Sequence, residues 1–283
     1  MEHIRNDEEL RRTFWKEQMD AAYAFMEKIK EYPVAECGEP LISLRTVVEK
    51  AGIEVEFSGT KVVKNYDRLF YLREGLIDNF IDLAREMNNR GWVLRVEDAY
   101  RTKNIQKYLA LKENIFDVIL NRVTWECRGN IPSLDLMFRR LSALVATNPK
   151  TGTHMSGSAL DISVLYRDSR KEVDRGGPYL ELSELTPMNS PFISAEARNN
   201  RMEITGLMER HGFIPYPYEF WHYSSGDARA EFLIGSNKGA KYGSINWIKK
   251  TGKISSFKNT REPLLKSEEI MKKIRHALKK RIR

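Results

Sequence analysis

The chain has 283 residues, 41% hydrophobic and 30% charged, the make-up of an ordinary soluble globular protein with length for one large or two small domains. No run approaches the roughly 18 apolar residues that a membrane span needs. The opening MEHIRNDEELRRTFWK has no apolar centre to act as a secretory signal, and Cys37 and Cys127, 90 residues apart, suggest neither a disulfide framework nor a thiolate zinc knot. The expected location is therefore the cytoplasm, or the cell envelope if the chain is exported by another route. The formal charge of +8 is concentrated at one end: residues 249–283 hold 13 Lys/Arg against 3 Asp/Glu, leaving the first 248 residues at −2. Such a tail either attracts an anionic wall polymer or membrane surface or is a solubilising terminal helix. Its charges are scarcely interleaved with aromatics, which speaks against nucleic acid as a partner.

Along the chain, Trp15, Met19, Tyr23, Met26 and Ile29 recur at three- and four-residue steps within residues 8–30, an amphipathic helix whose stripe docks on the body. Pro33, Gly38 and Pro40 end it, and IEVEFSG reads as a strand running into a turn. Leu76, Ile77, Phe80, Ala84 and Met87 mark a second helix with Gly91 just beyond its end, and WVLRVEDAYR follows as a strand. Residues 103–147 are helical in pattern except at CRGNIPS. SALDISVLY alternates, with Leu160, Ile162 and Val164 on one face and Ala159, Asp161 and Ser163 on the other. Residues 168–190 are loop-rich, NNRMEITGLMERHGF is a helix ending near Gly212, and YPYEFWHYS is strand-like. This order predicts an α+β fold, a small sheet flanked by helices. Its organisation is an N-terminal helix over 1–35 packing on the body, a main domain over 36–248, and a basic, helical tail over 249–283.

Chemistry points to few residues. Of five histidines, His3 and His276 sit in charged terminal contexts, and His211, before Gly212, suits a helix end where it caps the last carbonyls. His222 lies three residues after Glu219 in an aromatic segment, and His154 lies in TGTHMSGSALDIS, seven residues before Asp161. Catalytic zinc takes three nitrogen or oxygen ligands and leaves a fourth position for water, whose pKa falls to roughly 7. His154, Asp161 and His222 would make such a set, with Glu219 free to accept the water's proton and hand it to the leaving amine. The spacing is not that of the helical H-E-x-x-H motif, and by itself it leaves a metal site and a polar loop both open.

THMSGSALDISV followed by YEFWHYS resembles the H-x6-D and E-x-W-H signatures of the VanX-type D-alanyl-D-alanine dipeptidases, zinc peptidases related to D-Ala-D-Ala carboxypeptidases and hedgehog-like domains. FSGTKVVKNYDRLFYLREGL, GWVLRVEDAYR, RGGPYLELSE and NRMEITGLMERHGFIPYPYEFWHY fall in the family's order, so the likeness covers approximately residues 40–245. The resemblance implies an antiparallel-rich sheet and one zinc ion held by His154, Asp161 and His222. It further implies Glu219 as general acid/base and Arg101 as the stabiliser of the charged tetrahedral intermediate. An arginine at a strand end would equally pair with Asp98 or Glu97. Two departures stand out: Gly152, beside Thr153, replaces a family serine, and Leu180 replaces the aspartate that holds the substrate's ammonium, leaving Glu181 as the candidate substitute. The implied activity is hydrolysis of D-Ala-D-Ala or a related D-amino-acid dipeptide. The alternatives are a D,D- or L,D-carboxypeptidase acting on peptidoglycan stem peptides, or a non-catalytic zinc-bearing binding module, which would need neither Glu219 nor Arg101.

Overall fold

The computed structural model describes residues 2–61 and 66–281, with side chains over 7–61 and 66–280. The side chain of His3 and residues 62–65 of the FSGTKVVKNYDRLFYLREGL block lie outside the described residues. Helix α1 (Glu2–Glu31) buries its stripe, with Trp15, Met19 and Ile29 fully enclosed. Strand β1 (Leu41–Ser43) leads into α2 (Leu44–Ala51), which starts where the Ser43 hydroxyl accepts from Thr46 N–H and stops at Gly52, φ +59. There follow β2 (Val55–Phe57), β3 (Tyr71–Arg73), α3 (Ile77–Asn89) and β4 (Trp92–Asp98). Three helices come next, α4 (Lys103–Leu111), α5 (Glu113–Glu126) and α6 (Leu134–Val145), the first capped by Thr102 and the last by Ser133. The second half contains β5 (Ala159–Tyr166), α7 (Ala195–Arg210), β6 (Ile214–Pro215), β7 (His222–Ser224) and α8 (Ala228–Leu233). It closes with β8 (Ile245–Ile248), β9 (Lys253–Ser256) and α9 (Ser267–Arg281).

The central sheet runs β2-β4-β5-β7-β6 and is antiparallel except where β2 meets β4, so the α+β, antiparallel-rich expectation holds. The β5 alternation puts Leu160, Ile162 and Val164 into a core with Phe80, Leu83 and Met87 of α3 and Ile204, Leu207 and Met208 of α7. A second core joins α1, α5, α6 and α9 to Phe220 and Trp221. Asp161, of opposite parity on β5, leaves the first core and faces the cleft between sheet and helices.

Three expectations change. YPYEFWHYS is a strand only over 222–224, because residues 217–221 form a turn that starts at Pro217, a residue without the N–H a ladder needs. The 249–283 segment is helical only from Ser267; before that it supplies β9, paired with β8, whose Trp247 packs on Tyr71 and Tyr100. His211 sends its side chain to Glu86 of α3, with Nε2 2.8 Å from Oε2, and leaves the last carbonyls of α7 to backbone donors. Among the described residues no helix is long and apolar enough to cross a membrane.

Candidate active site

Local structure explains why three distant residues meet. His154 sits on a single helical turn, Thr153–Ser156, that ends at Gly157 with φ +71, and a Cβ on Gly157 would stand 2.4 Å from Leu41 Cδ2. Only glycine passes both tests. Arg73 clamps this turn, with Nε donating to Ser156 O at 2.5 Å and its own N–H to Gly157 O at 2.9 Å. Asp161 and His222 are direct cross-strand partners on β5 and β7. A register shift between Val96 and Asp98 then places Asp98 opposite Asp161, the re-aiming that a bulge provides.

His154, Asp161 and His222 are all buried, and one ligand atom from each lies within 4.8 Å of the others. His154 Nδ1–H donates to Ala99 O at 2.5 Å, which leaves the Nε2 lone pair aimed inward, 3.2 Å from Asp161 Oδ1. That Nε2 is buried without a hydrogen-bond partner among the described residues. His222 presents Nδ1 to the same Oδ1 at 2.8 Å, while its Nε2 meets Thr153 Oγ1 at 2.9 Å. Asp161 Oδ2 accepts from Arg101 Nη2 at 2.9 Å and from the Tyr179 hydroxyl at 3.0 Å. One carboxylate oxygen is therefore fixed by donors and the other is shared between two imidazoles. An orphaned inward nitrogen, a second imidazole and a carboxylate oxygen are the donor set of a zinc site with outer partners in place, and the residues fit one such ion.

Electrostatics follow from burial. Burial pushes the Glu219 carboxyl up to about 8 and the nearby Asp161 pushes it the same way, while Arg229 and Arg101 pull it back. Burial drives His222 down to about 3, favouring the neutral, metal-binding imidazole. Burial opposes the charge on Asp161, yet His154 and His222 hold its carboxyl well below the usual range. Glu219 stands in the turn between β6 and β7, fixed by its N–H on Tyr216 O and its carbonyl accepting from His222 N–H. The next residue, Phe220, lies under the guanidinium groups of Arg175 and Arg201, 4.9 and 4.1 Å from its ring centre.

Arg101, at the end of β4, satisfies both readings of its role: Nε binds Asp98 Oδ2 at 2.8 Å while Nη2 reaches Asp161. The cleft is also lined by Leu109, Ile115, Leu144, Leu180 and Leu182. Glu181 is not brought to it. Its side chain lies over Gly177, where a Cβ would be 2.9 Å from Glu181 Cγ, and the lining residues on either side are Leu180 and Leu182. Sequence reading missed Tyr179, Gln106 and Arg229, which come from loops and helices with no periodic tie to the ligands.

A buried two-histidine, one-carboxylate set with an acid beside it, lining a cleft, is an arrangement that single-ion metallohydrolases use. The family model for D-Ala-D-Ala dipeptidases, peptidase M15, matches residues 56–236, and the chain belongs to that family of zinc metallopeptidases. A D-alanyl-D-alanine dipeptidase of Synechocystis sp. is 27% identical over 227 residues, 69% of this chain and 85% of that one. Another from Enterococcus faecium is 31% identical over 71 residues, 25% and 35% of the two chains. Among solved structures, a vancomycin-resistance D,D-pentapeptidase VanY in complex with Zn(II) is similar at 18% identity and TM-score 0.36, covering 66% of this chain and 88% of that one.

Proposed function

We propose that the protein hydrolyses D-Ala-D-Ala or a related D-amino-acid dipeptide, with His154, Asp161 and His222 holding zinc. The observation that carries this is Glu219, a buried carboxyl placed by a tight turn beside an inward-facing metal-ligand set. Bound zinc would acidify a water and polarise the scissile carbonyl. Glu219 takes the water's proton and returns it to the leaving amine. Glu219 accepts that proton as the anion, a form that a cation held by His154, Asp161 and His222 would favour by offsetting the repulsion from Asp161. Arg101 is held by Asp98 and Asp161 through Nε and Nη2, and its Nη1, on a long 3.3 Å bond to Gln106 Oε1, is the donor that can exchange Gln106 for the developing oxyanion.

A second reading, a D,D- or L,D-carboxypeptidase on peptidoglycan stem peptides, is favoured by one observation. Asp161 and Glu219 are the acids that line the cleft, and both have other work, which leaves Leu180 where a free ammonium would need a partner. The exposed basic residues of α9, Lys272, Arg275, Lys279 and Lys280, are further proposed to rest on an anionic surface.

The test is hydrolysis of D-Ala-D-Ala, an N-blocked analogue and L-Ala-L-Ala by zinc-loaded wild type and Glu219→Gln. The expected result is a loss of about 10²–10⁴ in kcat for the variant at unchanged zinc content. Cleavage of the blocked peptide alone establishes the carboxypeptidase reading. A zinc-bearing wild type that cuts none of the D-peptides overturns both.

A further inference from the structure

Against the turn that carries His154 lies a second, larger pocket. Gly152 and Thr153 line both it and the catalytic cleft, but its volume is about 350 Å³ where the cleft has about 40 Å³, and small-molecule sites run from roughly 300 to 1,000 Å³. Its floor belongs to the block that matches the family model, with Lys150 and Ser156 from the turns before β5. Its walls come from outside residues 56–236: Val34 and Glu36 after α1, Tyr242 and Ser244 before β8, Phe257 and Thr260 after β9. Backbone bonds fix these pieces in place, Lys150 N–H on Thr260 O at 2.8 Å, Phe257 N–H on Ser244 O at 3.1 Å and Ala35 N–H on Ala240 O at 2.9 Å. The two extensions of the chain therefore build a pocket for which the matched block alone has no walls.

The charged groups of this pocket are unequally satisfied. The Glu36 carboxylate is taken up by Arg73 and by the N–H groups of Gly38 and Gly243, and that of Asp227 by Ser158, Ser224 and the first N–H groups of α8. Lys150 is the remaining charged residue of the lining, and among the described residues its ammonium has no carboxylate within ion-pairing distance and no hydrogen-bond acceptor. Burial, and after it the neighbouring Arg261, push the Lys150 ammonium below its ordinary value, a cost that a bound anion relieves. The Ser256 and Thr260 hydroxyls are likewise unspent, and Val34, Ala228 and the Phe257 ring supply apolar wall. An idle cation with two idle hydroxyls, beside carboxylates that are already neutralised, suits an oxyanion, and the apolar wall suits a small organic body behind it. We propose that this pocket binds a small organic oxyanion, a carboxylate or a phosphate monoester, through Lys150, Ser256 and Thr260. The site is separate from the peptidase chemistry and stands or falls independently of it.

Calorimetric titration with glycerol 3-phosphate, glycerate and neutral glycerol tests this on the zinc-free and zinc-loaded full chain. At least one of the two anions should bind one per chain with Kd below about 1 mM, with or without zinc, and glycerol should give no heat. The tighter of the two names the head group. Lys150→Met should weaken binding by about 10–100-fold, the range for a charge-assisted bond, while Lys150→Arg, which keeps the charge, should stay within about fivefold of wild type. Urea midpoints show whether each variant is folded. Should Lys150→Met prove unfolded, the double variant Ser256→Ala/Thr260→Val carries the test, with an expected loss of more than about threefold. Absence of binding up to roughly 10 mM, or binding of glycerol as tight as that of the anions, overturns the proposal. So does an affinity that neither the Lys150→Met nor the double variant alters, since the anion then sits elsewhere, and so does binding that requires zinc, which marks a metal ligand in the cleft.

Discussion

Asp161 carries contacts of two kinds, and they predict what its neighbours are for. Its Oδ2 is pinned by Arg101 and Tyr179 while Oδ1 stays between the imidazoles, so the two oxygens are not equivalent toward a metal. Removing the Tyr179 hydroxyl frees Oδ2 to rotate. Tyr179→Phe should weaken zinc binding by about 10-fold, the low end for outer partners of metal ligands, because Arg101 remains. Competition against a chelator measures this, and an unchanged affinity would show that Arg101 alone fixes the carboxylate. The candidate ligand set was legible in the sequence because β5 alternation sets the parity of Asp161 and because His154 and His222 sit in compact motifs. Tyr179 was legible only as an aromatic beside Leu180. Its hydroxyl reaches Asp161 across a separation of 18 residues, through the end of β5 and the loop after it, and no periodicity reports such a closure. Leu180, at φ +66, shows that this loop is bent into a region side chains avoid, which turns Glu181 away from the cleft that its position in the chain suggested.

Among the elements, the turn that carries His154 depends on one glycine. Gly157→Ala would strain a positive φ and drive a methyl onto Leu41, which should destabilise by about 1–3 kcal/mol and loosen zinc through His154. Urea melts with and without zinc measure both effects, and a stability change under about 0.5 kcal/mol would mean Leu41 simply gives way. Helices α3 and α7 are tied differently. Glu86 meets Arg90, Arg210 and His211, and the hydrogen bond to His211 followed by that to Arg210 pulls its carboxyl down to about 2. A depressed carboxyl stabilises the fold above its unfolded value of roughly 4.3, and that contribution disappears as pH falls toward 2. Glu86→Gln should therefore lose less than about 1 kcal/mol at pH 7, since the cluster is half-exposed and screened, and the difference from wild type should vanish near pH 2. A gap that widened on acidification would contradict the linkage. The long helices were readable from their apolar steps, as in Phe80, Ala84 and Met87. The three-residue strands β1 and β3 were missed because so few residues give no alternation to count, whereas β2 lies inside IEVEFSG, which reads as a strand. YPYEFWHYS misled in the other direction, since its aromatics favour strands while Pro217 starts the turn that Glu219 requires.

For the whole molecule, the two ends of the chain meet in one core. Trp15 and Met19 of α1 and Ile270, Ile274 and Ala277 of α9 are buried in the same cluster as α5 and α6, and Arg140 bridges Asp20 of α1 to Glu126 of α5. The basic tail thus has two faces with separate physics. Its apolar face belongs to the core, and its cations at 272, 275, 279 and 280 lie in solvent. Composition showed the charge and left the apolar face unread, because Ile270, Ile274 and Ala277 are diluted among cations. Deleting residues 266–283 removes two isoleucines from the core, at about 1.5–3 kcal/mol each, so stability to urea should fall by about 3–6 kcal/mol. Replacing Lys272, Arg275, Lys279 and Lys280 together with glutamine should change stability by less than about 1 kcal/mol, since these side chains are exposed. The same replacement should abolish sedimentation with anionic vesicles, an attraction that salt screens over roughly 10 Å. If the deletion melts like wild type, α9 does not belong to the folding unit. If the neutral variant still sediments at low salt, the surface is held by something other than the cations of α9.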